Sequence, residues 1–317
     1  MLGLLARRAF GLVSTLLVVS FLIFLAMNVL PGDPAAVMLG TSAQPDTLAA
    51  LRTQMGLDAP MLVRFGRWIS GALQGDFGMS YTYGVPVAGL VAERLLVTLP
   101  LAALSTLIAL LVAIPLGVAA AANQGRWRDG LITVFTQGSV ALPNFWIGLL
   151  LILVFSSSLG WMPAGGFPGW QAGVGPALMA LLLPAVALAL PQAGILTRVT
   201  RTAVLDVLNE DFVRTARAKG LDRRWALWRH VVPNALLPVV TMLGLQFTYL
   251  VAGSVLVENV FGLPGLGRLA YQAFSQRDLI VMQSVVLFLA GLVIVVNFLV
   301  DMAYLALDPR LRSGAAR

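Results

Sequence analysis

Six stretches of this chain are apolar around the whole helical circumference and long enough to cross a bilayer: Ala9–Leu30, Leu95–Ala122, Leu131–Leu159, Ala177–Thr197, Leu236–Val257 and Leu279–Leu307. A hydrocarbon core of about 30 Å needs roughly 20 helical residues at about 1.5 Å rise each. The predicted fold class is therefore an all-α polytopic membrane protein with six transmembrane helices. The first stretch reads as a span and not a signal peptide, because it is too long for an h-region and Leu30-Pro31-Gly32-Asp33-Pro34 offers no small-residue cleavage site.

The polar intervals differ in kind. From Pro31 to Arg94 the pattern predicts two short helices. One starts at Pro45-Asp46 and stops at Gly56; the other places Leu62, Phe65, Ile69, Ala72 and Leu73 on one face and Arg64 and Arg67 off it. Such a face suits a helix on a membrane surface, and equally one packed on the chain's own helices. Gly160–Pro176 carries no charge and is rich in Gly and Pro, which predicts turns.

Composition agrees with the pattern: 59% of the 317 residues are hydrophobic and 11% charged, against about 25% charged in soluble domains. The net charge of +7 would in a soluble protein invite nucleic acid. Its distribution points elsewhere. With the N-terminus inside, fifteen of the 21 basic residues fall on the cytoplasmic side, which carries about +8, while the outer segments carry about −1. The predicted order is a cytoplasmic N-terminus (1–8), a first span (9–30) and a periplasmic segment (31–94). A core of five spans (95–307) follows, containing a cytoplasmic loop (198–235), and the chain ends in a cytoplasmic tail (308–317). No nucleic-acid partner is expected; the lipid bilayer is.

Several chemistries are excluded by counting. Without Cys, and with His230 alone, there is no thiolate nucleophile and no multi-His or Cys metal site. A P-loop needs a Lys after its glycines, and the single Lys219 is followed by Gly220-Leu221. Gly262-Leu263-Pro264-Gly265-Leu266-Gly267 has no Lys and reads as a tight turn before the sixth helix. Within the predicted spans no Asp, Glu, Lys, Arg or His occurs until Asp301, which disfavours a secondary transporter or channel driven by an ion gradient. Polar neutral residues and prolines occur there instead, and Gln246, Tyr249, Ser254 and Glu258 recur along the fifth helix as candidates for a solute path. Glu258 could attract a cationic group or cap the membrane boundary.

The cytoplasmic loop is the most structured polar stretch. Glu210 and Arg214 form an acid-before-base i, i+4 pair, apolar positions recur at helical spacing, and Gly220 supplies a stop. The string Glu210-Asp211-Phe212-Val213-Arg214-Thr215-Ala216-Arg217-Ala218-Lys219-Gly220-Leu221, followed by Pro233-Asn234-Ala235-Leu236-Leu237-Pro238, resembles the E-A-A-x3-G-x9-I-x-L-P signature of membrane subunits of binding-protein-dependent ABC importers. Ala216, Gly220 and Pro233 fall on its second Ala, its Gly and its Pro. Arg214, Thr215, His230 and Val232 depart from it in a way that resembles the dipeptide/oligopeptide/nickel branch. So do Leu30-Pro31-Gly32-Asp33-Pro34-Ala35, Gly75-Asp76-Phe77-Gly78, Leu142-Pro143-Asn144-Phe145-Trp146, Phe261–Gly267 and Asp308-Pro309-Arg310, which are similar to segments of the B-type permease of that branch.

The resemblance implies a type I ABC importer transmembrane domain in the bacterial inner membrane with both termini cytoplasmic. It implies a second homologous permease, two ABC ATPase subunits and a periplasmic binding protein as partners. The chain itself would be non-catalytic and bind no cofactor, ATP and Mg being used by the ATPases. Glu210–Leu221 would be the docking helix, with Phe212 and Val213 as apolar contacts, Arg214, Arg217 and Lys219 as polar ones, and Gly220 allowing close approach or a turn.

Overall fold

The structure is a computed structural model that describes residues 2–29, 33–40 and 44–307. The motif residues Leu30–Gly32 and Asp308-Pro309-Arg310, and the tail, lie outside the described residues. Among those described, helices are joined by turns, with one isolated antiparallel bridge between Met79 and Pro86. Five helices are long and apolar enough to span a membrane, and a bent pair makes up to six.

The helices are α1 (Leu2–Val29), α2 (Pro34–Leu39), α3 (Pro45–Gln54), α4 (Met61–Leu73), α5 (Val87–Ala122), α6 (Trp127–Ala141), α7 (Asn144–Leu151), α8 (Val174–Leu208), α9 (Asp211–Ala218), α10 (Arg223–Ala226), α11 (Val232–Val260), α12 (Leu266–Ser275) and α13 (Leu279–Leu307). Local chemistry sets many of their ends. Asp33 accepts from the N–H of Ala35 with Pro34 in the first turn of α2, and Asp222 accepts from the N–H of Arg224 at the start of α10. A side-chain oxygen at that position satisfies a donor the helix leaves unpaired.

The described residues divide into two compact units, one within 99–263 and 295–307, the other within 2–98 and 264–294. In the first, α8 packs on α6, α7 and α11 around Ala109, Ala113, Ala189, Ala193, Leu196 and Val239. Small residues dominate because helices in lipid associate through close backbone approach more than by excluding water. Gly117 is the clearest case: a Cβ there would meet Thr200 Cβ at 2.5 Å and the Thr197 carbonyl oxygen at 2.8 Å.

The third apolar stretch departs from the prediction of one continuous span. α6 and a second segment, α7 continued by π-helical residues Ile152–Ser158, meet at an angle of 102°. Leu142 is extended (φ −95°, ψ 132°), as the residue before Pro143 prefers to be. Two of the other predicted spans lie within longer helices. α5 starts at Val87, and α8 continues past Thr197 to Leu208, so Arg198 and Arg201 lie on a helix and not in a loop.

In the second unit, Val87, Val91, Leu266, Leu269, Ala273, Val281 and Val285 form one core. The α12 helix in it goes beyond the simple turn expected around Gly262–Gly267. The turn exists, with Gly262 at φ +62°, but a ten-residue helix follows, its Leu266 N–H bonded to Thr98 Oγ1 at 2.8 Å. The face of α4 meets the chain's own α1: Phe65 lies 5.2 Å from Phe21 and 5.5 Å from Phe24, centroid to centroid. Leu62 and Leu73, at the two ends of that helix, are exposed.

Candidate coupling surface and solute cavity

The segment between α8 and α11 is anchored on one side. α8 ends at Leu208, and Asn209-Glu210 turns the chain into α9, an eight-residue helix. Val213, 2% exposed, enters a core of Val118, Ala121, Ala203, Val204, Val231, Val232 and Ala235. It therefore holds α9 to α5, α8 and α11 and is not available as an outward apolar contact, which corrects half of the expected pair. Phe212, 43% exposed, is the half that faces out. Trp225 and Trp228, which sequence reasoning passed over, are exposed on the following turn. Their signal was an apolar residue inside a strongly charged stretch.

Arg214 pairs with Asp211 at 3.6 Å, one residue closer than the i, i+4 partner expected, and both are highly exposed, so the pair adds little stability. Gly220 sits at φ +90°, and a Cβ there would meet nothing within 4 Å. Its role within the chain is the turn, since L-residues resist that backbone conformation. Leu221 N–H returns to the Ala216 carbonyl at 3.3 Å and closes the helix. Thr215 bonds its hydroxyl to the Asp211 carbonyl.

A second anchor was invisible in the sequence. Arg201 on α8 donates from Nε to Asp129 Oδ1 (2.7 Å) and from Nη2 to Oδ2 (2.8 Å), and Gly125 N–H donates to Oδ2 at 3.0 Å. This bidentate geometry is the strong form of an Arg–carboxylate pair. It ties the α5–α6 turn to the stretch of α8 that leads into α9.

The four path candidates separate. Gln246 and Tyr249 line a cavity of about 260 Å³ with Leu142, Asn144, Leu188, Pro191, Gln192, Ile195 and Leu250. Tyr249 is 70% exposed there, while Gln246 is buried. The lining is uncharged: amides, one phenol and apolar walls. Ser254 is buried with its hydroxyl on the Val251 carbonyl at 2.8 Å. Glu258 is completely buried within α11 and does not meet solvent. The break at Leu142-Pro143 brings Asn144 to the cavity, a residue the pattern marked only as polar. Such a wall offers hydrogen bonds without fixed charge, which suits passage of a polar solute better than its tight retention.

Among the described residues, no group of three or more His, Cys, Asp or Glu side chains could hold a metal ion.

These features match known proteins over the whole chain. A profile described as "Binding-protein-dependent transport system inner membrane component" matches residues 113–313, and its N-terminal companion, "Binding-prot-dependent transport system membrane comp, N-term", matches residues 1–102. The glutathione transport system permease protein GsiC of Salmonella paratyphi A is 42% identical over 312 residues, covering 98% of this chain and 99% of the relative. The Escherichia coli K12 protein of that name is 41% identical over the same coverage. Among solved structures, an inward-facing MetNI methionine ABC transporter superposes with a TM-score of 0.56 at 19% identity, covering 69% of this chain and 96% of that one; this likeness concerns the fold. With two profiles covering nearly the whole sequence and relatives above 40% identity end to end, the chain belongs to the inner-membrane permease subunits of binding-protein-dependent ABC importers.

Proposed function

We propose that this chain forms half of a translocation pathway for peptides or a similar small solute, paired with a second homologous permease and driven by two cytoplasmic ATPase subunits. A periplasmic binding protein delivers the solute, and ATP and Mg are bound by the ATPases, not by this chain. In this reading the α6–α7 pair counts as one bent span, giving six, with both termini in the cytoplasm. The cargo class is supported by relatives named as glutathione transport permeases and by the neutral hydrogen-bonding lining beside Gln246 and Tyr249. Ser254 and Glu258 belong to the same helix and would reach the path only in another conformation. An ion-gradient mechanism is not favoured, since the cavity holds no titratable side chain apart from the Tyr249 phenol.

The observation that carries the coupling role is the two-sidedness of α9. Val213 is locked in the core while Phe212, Arg214, Arg217 and Lys219 stay exposed. A short rigid helix of this kind passes motion of a docked ATPase directly to α8 and α11, as switching between packed states requires. Asp211, Thr215, Ala216, Ala218 and Leu221 complete the helix and its stop. The test is solute-stimulated ATP hydrolysis by the assembled complex. Phe212→Asp and Gly220→Trp are expected to lower stimulation at least tenfold while the permease pair still assembles. Normal stimulation with either variant in a fully assembled complex sinks the docking role.

A further inference from the structure

The second unit holds a cavity of about 320 Å³ that shares no residue with the neutral one beside Tyr249. Its walls bring together Arg64 from α4, Tyr81 from the bridged turn and Gln283 from α13, with Phe24 and Ile280 among the apolar part. Arg52 and Asp33 also line it, but they are engaged with each other at 2.9 Å, and Arg52 reaches Asp58 as well at 3.7 Å.

Arg64 is different. Its guanidinium lies 5.9 Å from the centre of the Phe24 ring, and among the described residues no carboxylate lies within ion-pair distance of it. Gln283 is 9% exposed, and its Nε2 is enclosed with no hydrogen-bond partner among the described residues. A buried amide donor left without an acceptor costs about 1–3 kcal/mol, and such groups in native proteins usually have a partner. Burial and the nearby Asp278 carboxylate push the Tyr81 phenol up to about 12, so at neutral pH it remains a neutral O–H that can donate.

Three donors from three separate segments thus surround one space, and one of them carries a positive charge that no carboxylate of the cavity neutralises. We propose that this cavity is a binding site for an oxyanion, carboxylate or phosphate, on a molecule that also has an apolar part. The planar guanidinium of Arg64 takes two oxygens of such a group, Gln283 and Tyr81 supply neutral donors, and the Phe24 side accepts the apolar portion. A cation is disfavoured, because Asp33 is already held by Arg52. The oxyanion can come from a soluble amphipathic acid or from the headgroup of an anionic lipid. The site does not depend on the cargo reading above.

The experiment uses the full-length chain in nanodiscs of neutral phosphatidylcholine, with thermal unfolding as the readout at constant ionic strength set by chloride. One arm titrates N-acetyl-leucine as the soluble carboxylate; the other replaces a fifth of the lipid by phosphatidylglycerol, with native mass spectrometry to count retained lipid. A saturable rise in Tm in the first arm assigns a soluble ligand, and a rise with retained phosphatidylglycerol in the second assigns a lipid. Arg64→Gln is expected to weaken either effect at least tenfold. Gln283→Leu guards against a folding artefact: it removes the unpartnered donor, so the unliganded Tm should hold or rise while binding weakens tenfold. No saturable rise in either arm overturns the site, as does a rise that Arg64→Gln and Gln283→Leu both leave unchanged.

Discussion

Asp278 accepts from Ser80 Oγ at 2.6 Å and Thr82 N–H at 3.0 Å through one oxygen, and from Val281 N–H at 3.2 Å through the other. It is buried and so fixes the Ser80–Tyr83 turn to the start of α13 while also capping that helix. Asp278→Ala leaves those donors without their acceptor, and a loss of about 1–3 kcal/mol is expected, read as a lower Tm of the purified permease. Tyr81 in the same turn has its ionisation pushed up to about 12. The unfolded chain ionises near 10 and the folded one later, so stability is complete below about pH 10 and falls as pH rises through about 12. Absorbance titration near 295 nm, with Tyr81→Phe as the difference control, is expected to show one phenol titrating late. Neither residue stands out in the sequence, because the turn and the helix start are nearly 200 positions apart.

At the scale of elements, the bend between α6 and α7 and the Asp129–Arg201 clasp shape the first unit. The clasp is half sheltered, Arg201 retaining 30% side-chain exposure, so it is worth less than a fully buried pair yet more than a surface one. Arg201→Met strands the Asp129 carboxylate in a buried position and is expected to cost about 1.5–3 kcal/mol, the range for a hydrogen bond to a charged group. Asp129→Leu combined with Arg201→Met should restore part of it, since no charge is then left unpaired. Thermal unfolding of the two single variants and the double variant, analysed as a double-mutant cycle, measures the coupling; strict additivity would show that the clasp holds nothing. Helix existence was legible from apolar runs, and the break could have been read from Leu142-Pro143, where the residue before proline resists the α conformation. Its angle could not, because it depends on what α7 packs against. The α12 helix was legible too, from Leu266, Leu269, Ala270 and Ala273 at helical spacing, but the Gly-rich start drew attention to the turn.

For the molecule as a whole, the features that matter are an uncharged cavity lined by α7, α8 and α11 and the short helix α9 anchored by Val213 with Phe212 outward. The ATPase measurement with Phe212→Asp and Gly220→Trp tests whether they act as one machine. Val213→Asp serves as the contrast. It buries a charge in an apolar core, so it is expected to lower Tm and assembly as well as coupling, whereas Phe212→Asp should affect coupling alone. Exposed apolar side chains such as Phe10, Leu17, Leu111 and Leu153 face outward on the long helices, as the solvent of a membrane protein requires.

The sequence by itself determined that this is a helical membrane protein without a P-loop motif or a thiol, because composition, run length and motif counts are properties of the one-dimensional chain. It also marked a short helix ending at Gly220, since capping and φ preference are local. Only the tertiary structure decided which side of that helix is free and that Glu258 is enclosed while Tyr249 lines a cavity. It alone paired Asp129 with Arg201, 72 residues away, and brought Arg64 and the unpartnered Nε2 of Gln283 to one cavity. Those outcomes depend on which surfaces meet, and hydropathy periodicity reports that a face is apolar without saying what covers it.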